Sequence, residues 1–394
     1  MKRSHLWSSG LALLATILIA MPARAQLNMQ MGNGWSMAFS GNVNGFLNYE
    51  KENTNGTTFT TGGLVGNGAK GFNIRTGLLP AFAVFSIKGR DNNRDLGATF
   101  GFAPEIQCGP NDNNYANRAN CQGAQLDMRQ VFMTVGGVHG GTLLMGRDLS
   151  IFGRQNILND MTLFGTGPTG GPTNGGGTTL GRIGFGYNYP NFNAQMTWSS
   201  AAGKNSQFSI GLFDPSEVDA FTETALPRVE AEWTLKSHST NFWLSGLAQS
   251  AKIPGGSSLT SAGGSGGIKW WSNKVTIVGS AFFGSGIGTT LNFLNATDGG
   301  TKARPSLGGY AQGMIGLNAR TSLGVSYGLN QLKNASGEGA FKTTNSAIVA
   351  GLYNKYGKML RSTLEVTYSA TGDDVGGNKN NSAIGVSGGL LLLF

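Results

Sequence analysis

The chain has 394 residues, of which 29 are Lys or Arg and 20 are Asp or Glu, so 12% of it is charged where an ordinary soluble domain carries roughly 25%. Its 64 glycines come without a Gly-X-Y period and with only 11 prolines, which excludes collagen, and 39% hydrophobic residues are too many for a disordered chain. Length alone would allow two soluble domains, but this composition points to one large object built of strands and turns.

Lys2 and Arg3 form a basic n-region, Leu11 to Ala20 an apolar h-region, and Ala23-Arg24-Ala25 a small-residue cleavage site. Residues 1–25 therefore read as a signal peptide, with the mature chain, 26–394, beginning at Gln26. Ten apolar residues rise only ~15 Å as a helix, which argues against a membrane anchor. Loss of Lys2, Arg3 and Arg24 lowers the formal net charge from +9 to +6. Beyond Gln26 no run approaches the ~18 apolar residues of a spanning helix, so a chain that enters a membrane after export must do so as strands. Cys108 and Cys121 bracket the polar segment CGPNDNNYANRANC. Export to an oxidising compartment favours a local disulfide there, and the segment lacks the histidines and the spacing of a zinc site.

From Trp35 onward the body alternates with period two. Met37, Phe39, Val43, Leu47 and Tyr49 occupy odd positions and Ser36, Ser40, Asn42, Asn44, Asn48 and Glu50 even ones. The same pattern marks Ile183, Phe185, Tyr187 and Tyr189 against Arg182 and Asn188, then, across a Pro190-Asn191 turn, Phe192, Met196 and Trp198 against Asn193, Gln195 and Thr197. It recurs with Arg228, Glu230 and Glu232 opposing Val229, Ala231 and Trp233, and with Glu365 opposing Leu364 and Val366. Strands are predicted at 34–50, 80–90, 95–103, 126–136, 140–147, 181–189, 192–200, 227–236, 241–253, 262–271, 274–287, 306–318, 321–332, 344–356, 359–370 and 382–394. That makes sixteen, with 203–214 and 71–79 as strand extensions or further strands. The polar face carries charges, amides and hydroxyls rather than small core residues; a soluble sandwich would turn the apolar face inward to a shared core, but here short turns alternate with long polar loops, as in outer-membrane barrels. The predicted fold is an all-β, transmembrane, antiparallel β-barrel whose apolar face meets lipid and whose polar face lines a wet channel.

The stretches Arg129-Gln130-Val131-Phe132, Val135-Gly136-Gly137 and Gly141-Thr142-Leu143-Leu144-Met145-Gly146-Arg147 resemble the fourth and fifth strands of general Gram-negative trimeric porins. Phe85-Ser86-Ile87-Lys88-Gly89 is similar to their second strand, Tyr187 to Phe192 to their sixth-to-seventh hairpin, and the terminal Phe394 to their C-terminal strand signal. The resemblance implies a sixteen-stranded homotrimer in the lipid of a Gram-negative outer membrane, passing small hydrophilic solutes and ions by passive diffusion, with no cofactor and no nucleic-acid partner. It also places a folded-in third loop at 148–180, with Arg147, Asp148, Arg154 and Asp160 at the pore constriction. Lys88, Arg90, Arg129, Arg182 and Arg228 are the candidate bases of the pore wall. With six excess positive charges in the mature chain, weak anion preference is expected. The low charge of this chain departs from the family habit and keeps open a pore selective for an organic anion or a sugar.

Other motifs carry less. Gly165-x-Gly167-x-x-Gly170 matches a dinucleotide fingerprint but lacks the strand-to-helix context, and Asn295-Ala296-Thr297 fits a glycosylation sequon without meaning in such a membrane. Asp373 and Asp374 read as a solvated acidic pair. A barrel hydrolase would need a histidine or a nucleophile–base pair, and His139 and His238 both fall in predicted short turns. A plugged adhesive barrel is the other alternative.

Overall fold

A computed structural model describes residues 27–55, 61–66, 70–79, 81–104, 126–168, 181–203, 205–373, 375 and 380–394. The predicted signal peptide, Cys108, Cys121, Gly170 and Asp374 lie outside the described residues. The described residues form eighteen strands: β1 (Leu27–Gln30), β2 (Ser36–Asn53), β3 (Lys70–Arg75), β4 (Phe82–Asp91), β5 (Arg94–Pro104), β6 (Leu126–Val138), β7 (Gly141–Leu149), β8 (Phe192–Ser200), β9 (Ser206–Phe213), β10 (Arg228–Lys236), β11 (Thr240–Lys252), β12 (Ser258–Trp271), β13 (Val275–Ser285), β14 (Pro305–Gly316), β15 (Thr321–Lys333), β16 (Lys342–Lys355), β17 (Leu360–Asp373) and β18 (Asn381–Leu393). No helix among the described residues is long and apolar enough to cross a membrane.

Every ladder is antiparallel. From β4 to β18 each strand pairs with the next in sequence, β4 pairs with β2, and β18 returns to β2, so the sheet closes on itself with no free edge. Two of the eighteen are pieces of a neighbour's strand. β3 pairs with Phe46–Lys51 of β2 and β4 with Ser36–Asn42, so the two lie end to end as one barrel strand interrupted at residues 76–81. β1 pairs with Ser36–Phe39 on the side of β2 that β18 occupies further along, and Gly41 and Phe394 exchange backbone hydrogen bonds of 2.8 and 3.0 Å between them. The barrel therefore has sixteen strand positions, as the alternation predicts.

One of the sixteen predicted strands is misplaced. Residues 181–189 form turns, and 181–188 are buried on both parities, whereas a strand in the wall must leave one face outward. Gly181 and Gly184 take φ of +53° and +81°, and Gly184 N–H bonds back to the Tyr187 carbonyl at 2.9 Å. The wall position is filled instead by β9, whose residues alternate between exposed and buried. Pro190-Asn191 is accordingly the end of one long loop, 150–191, closed at its base by a 2.9 Å bond from Ser150 N–H to the Asn191 carbonyl.

Burial fixes the two faces. Leu323, Val325 and Tyr327 of β15 and Leu364, Val366 and Tyr368 of β17 are exposed, while Ser326, Asn330, Thr363, Glu365 and Thr367 are buried. Apolar side chains point outward and polar ones inward, the reverse of a water-soluble barrel. Both described ends of the chain and the short connections, including those that carry His139 and His238, share one rim. The long connections share the other. Near that rim the inward face turns apolar: Leu247, Ala251, Leu259 and Phe282 pack with Phe152, Val218, Phe221, Ile287 and Phe293 from the loops.

Candidate functional site

The long loop begins where β7 ends and is fastened by carboxylates. Glu230 of β10 accepts Ile151 N–H at 2.9 Å and Phe152 N–H at 2.8 Å on one oxygen and Arg228 Nε at 2.8 Å on the other. Gly153, at φ +72°, then turns the chain into a short helix, α1 (Arg154–Leu158). From its first residue Arg154 reaches Glu232 through Nε and Nη2, at 3.0 and 2.7 Å to Oε1, with both side chains buried. Asn156 accepts from Trp243 Nε1 at 2.8 Å and donates to Ser265 at 2.7 Å, and its carbonyl takes Tyr310 O–H at 2.7 Å.

Asp160 caps a turn of 3-10 helix (Met161–Phe164), accepting Thr162 N–H at 3.0 Å, Thr162 Oγ1 at 2.7 Å and Tyr187 O–H at 2.7 Å. Burial, ahead of this carboxylate, pushes the Tyr187 phenol well above its ordinary pKa, so it stays a donor. Gln312 of β14 brackets the turn, accepting Met161 N–H at 2.9 Å and donating to the Asn159 carbonyl at 2.8 Å. On β17, Glu365 accepts Thr166 N–H and Gly167 N–H, both at 2.8 Å, and Tyr353 O–H at 2.7 Å. A Cβ on Gly165 would run into this carboxylate, and one on Gly167, at φ +72°, into Gly181. The first two glycines of the apparent dinucleotide fingerprint thus serve close approach and positive φ. The gap between β3 and β4 meets the loop from the other side: Leu78 N–H bonds to the Gly165 carbonyl at 2.9 Å, and Gly77 N–H to Asn44 at 2.8 Å.

The two anchoring carboxylates, Glu230 on β10 and Glu365 on β17, stand seven steps apart on a ring of sixteen. The segment 151–167 therefore bridges nearly opposite parts of the wall along its polar face.

Of the four predicted constriction residues, Asp148, Arg154 and Asp160 are buried, Asp148 on the inward parity of β7 and the other two in the loop. Asp148 accepts from Gln130 at 2.7 Å. Arg147 is not with them. It pairs with Val131 and Ala194 on the outward parity and is exposed, because residues next to one another in a strand face opposite sides. Among the predicted wall bases, Lys88 lies on the inward parity of β4, and Arg90 lies at the short-turn rim, 3.8 Å from Asp95. Arg129 leaves the ladder at a bulge, paired with Asp127 at 2.8 Å and 5.6 Å from the Phe192 ring. Arg182 belongs to the loop, since 181–189 is not a strand, and donates to Ser326 and to the Ala347 carbonyl at 3.2 Å. Arg228 is inward but fully buried, clasping Glu230 between the Phe213 and Phe293 rings. Sequence reasoning looked for bases and passed over the carboxylates that hold the loop. Their signal was visible as acidic residues on the polar parity of β10 and β17.

A closed sixteen-stranded barrel with an apolar outside and a polar inside is the build of an outer-membrane channel. Residues 10–225 match the model of the Gram-negative porin family. The chain belongs to the Gram-negative porin family, whose members sit in the outer membrane and act as channels and not as enzymes. No curated relative matches the sequence. Among solved structures it is similar to the outer-membrane channel DcaP of Acinetobacter baumannii, at 13% identity and a TM-score of 0.68 over 93% of this chain and 99% of that one. It is also similar to the anion-selective porin from Comamonas acidovorans (12%, 0.63, over 91% and 100%) and to OmpT, an outer membrane protein of Vibrio cholerae (12%, 0.60, over 92% and 99%). At these identities the likeness concerns the fold.

Proposed function

We propose that the protein is a homotrimeric diffusion channel for small hydrophilic solutes and ions, constricted by the loop 150–191 and weakly anion-selective. The observation that carries the selectivity is the charge on the inward face near the short-turn rim. Lys88, Lys236, Lys269, Lys355 and Arg361 all lie on inward parities there, on β4, β10, β12, β16 and β17. None of the five is in an ion pair among the described residues. Asp95, the inward carboxylate at the same rim, is beside Arg90. Higher up, Glu230, Glu232, Glu365 and Asp160 are occupied by backbone N–H groups, arginine or hydroxyl donors. Glu50 and Glu52 sit at the far end of β2 beside Arg75. Fixed cations with unbalanced charge in a narrow, low-dielectric passage focus a positive potential and raise the local concentration of anions.

The anion-selective porin of Comamonas agrees with this reading, and a solved trimer form of the Vibrio OmpT agrees with the assembly. An outward aromatic patch supports subunit contact: Phe39 stacks on Phe85 with ring centres 4.7 Å apart, and Phe394 lies 5.2 Å from Phe39. Single-channel recording of refolded protein tests the channel itself. Stepwise conductance that rises with KCl concentration is expected. Insertion without conductance would leave only a plugged barrel.

A further inference from the structure

Diffusion alone leaves one feature of the barrel without a use. Between the 3-10 turn of the long loop and the short-turn rim, strands β12 to β17 enclose a cavity of about 310 Å³, which falls within the size range of small-molecule sites. Its wall combines two chemistries. Lys269, Lys355 and Arg361 bring three positive charges, while Met161, Leu163 and Phe164 of the loop bring an apolar surface. The two meet where the Arg361 guanidinium carbon lies 4.3 Å from the centre of the Phe164 ring, a cation–π contact. Among the described residues no carboxylate forms an ion pair with these cations. Asp160 is the acidic residue of the lining, and its oxygens are taken by Thr162 and Tyr187.

We propose that this cavity is a binding site for a small organic anion with an apolar body, of the class of aromatic or short-chain monocarboxylates. The carboxylate is held by Lys269, Lys355 and Arg361, and the body lies against the underside of the loop. A site of this kind turns nonspecific attraction of anions into a preference for one class, because inorganic chloride gains only the charge while an organic anion also removes apolar surface from water. The assignment rests on the reading of the protein as an anion-preferring channel.

Benzoate is the probe, with benzyl alcohol as its uncharged counterpart, added to refolded protein carrying a KCl current in a planar bilayer. Benzoate is expected to lower the conductance along a saturating curve and benzyl alcohol to have no effect. Lys269→Gln and Arg361→Gln are each expected to raise the half-blocking concentration about threefold, as for the loss of one solvent-screened ionic contact. Lys358→Gln, a charge change in a turn of the same rim outside the cavity, is expected to leave it unchanged. The KCl conductance step of each variant reports that it has folded, and Arg361→Gln serves if Lys269→Gln gives none. A block that does not saturate, equal block by benzyl alcohol, or an equal shift in Lys358→Gln would overturn the site. The zero-current potential in a KCl gradient separates the two readings: chloride preference without saturable block removes the site alone, and cation preference removes the selectivity on which it rests.

Discussion

Glu365 and the Arg154–Glu232 pair join Glu230 in holding the loop in place. Glu365 presents one oxygen to Thr166 and Gly167 and the other to Tyr353, so it is acceptor-only in a setting of donors. Glu365→Gln keeps the shape and turns an NH₂ toward N–H or O–H groups. It is expected to cost about 1–3 kcal/mol, read as a lower unfolding midpoint and as faster proteolysis within 150–191 in otherwise intact barrels. Arg154 and Glu232 form a buried bidentate pair, and removing one member of such a pair typically costs about 3–5 kcal/mol because the other charge stays buried. Arg154→Gln is expected to lower stability by that order and to make single-channel currents noisier as α1 leaves its seat. Quiet currents at the original conductance would show that Arg154 does not hold the loop. The sequence placed Arg154 and Asp160 in the right segment but gave them free charges facing water. Glu232 lies 78 positions from Arg154 and Tyr187 lies 27 from Asp160, on elements whose approach no local pattern encodes.

At the scale of elements, the alternation of polar and apolar residues identified fifteen of the sixteen wall strands, because each must satisfy lipid on one side and polar surroundings on the other. It failed at 181–189 for a physical reason. That segment alternates as a strand does, yet Ile183, Phe185 and Tyr187 are buried among Leu64, Leu78, Trp243 and Tyr310 of other elements, while Arg182 bonds to Ser326 of the wall and Asn188 to the Ile287 carbonyl in the connection after β13. A period of two tells which residues share a face and not what covers that face. Of the composite strands, β3 overlaps the segment 71–79 expected as a strand extension or further strand, whereas β1, which continues the line of β18 from the other end of the sequence, was not legible.

The loops of the long-loop rim are fastened to one another as well. Arg304, ahead of β14, donates Nε to Glu338 in the next long loop at 3.1 Å, and Glu338 also accepts Ala335 N–H at 2.8 Å. The Arg304 hydrogen bonds hold the Glu338 carboxyl below the usual glutamate range. A depressed folded-state pKa means that this tie is present at neutral pH and is lost as pH falls below the ordinary value of about 4.3 and on through the folded value. Protease access to residues 286–304 and 334–341 is therefore expected to stay constant between about pH 7 and 5 and to rise below about pH 4, with Glu338→Gln showing the raised access throughout.

For the whole molecule, the composition that excludes a soluble domain finds its cause in the two faces of the wall. An outward Lys or Arg near mid-membrane costs roughly 2–4 kcal/mol, so charge is confined to the inside, the rims and the loops. What is left inside is unevenly spread. Carboxylates are spent on fastening the loop, while a set of cations near the short-turn rim is left unpaired. The formal excess of positive charge sets the sign of the expected selectivity but does not say where the charges stand, since placement depends on register and on which carboxylates the loop consumes. The most direct measurement is the zero-current potential of refolded protein in a planar bilayer between unequal KCl solutions. The account predicts a potential whose sign reports chloride passing more readily than potassium, reduced when Lys269, Lys355 and Arg361 are replaced together by glutamine. A potential of the opposite sign, with potassium preferred, would contradict it.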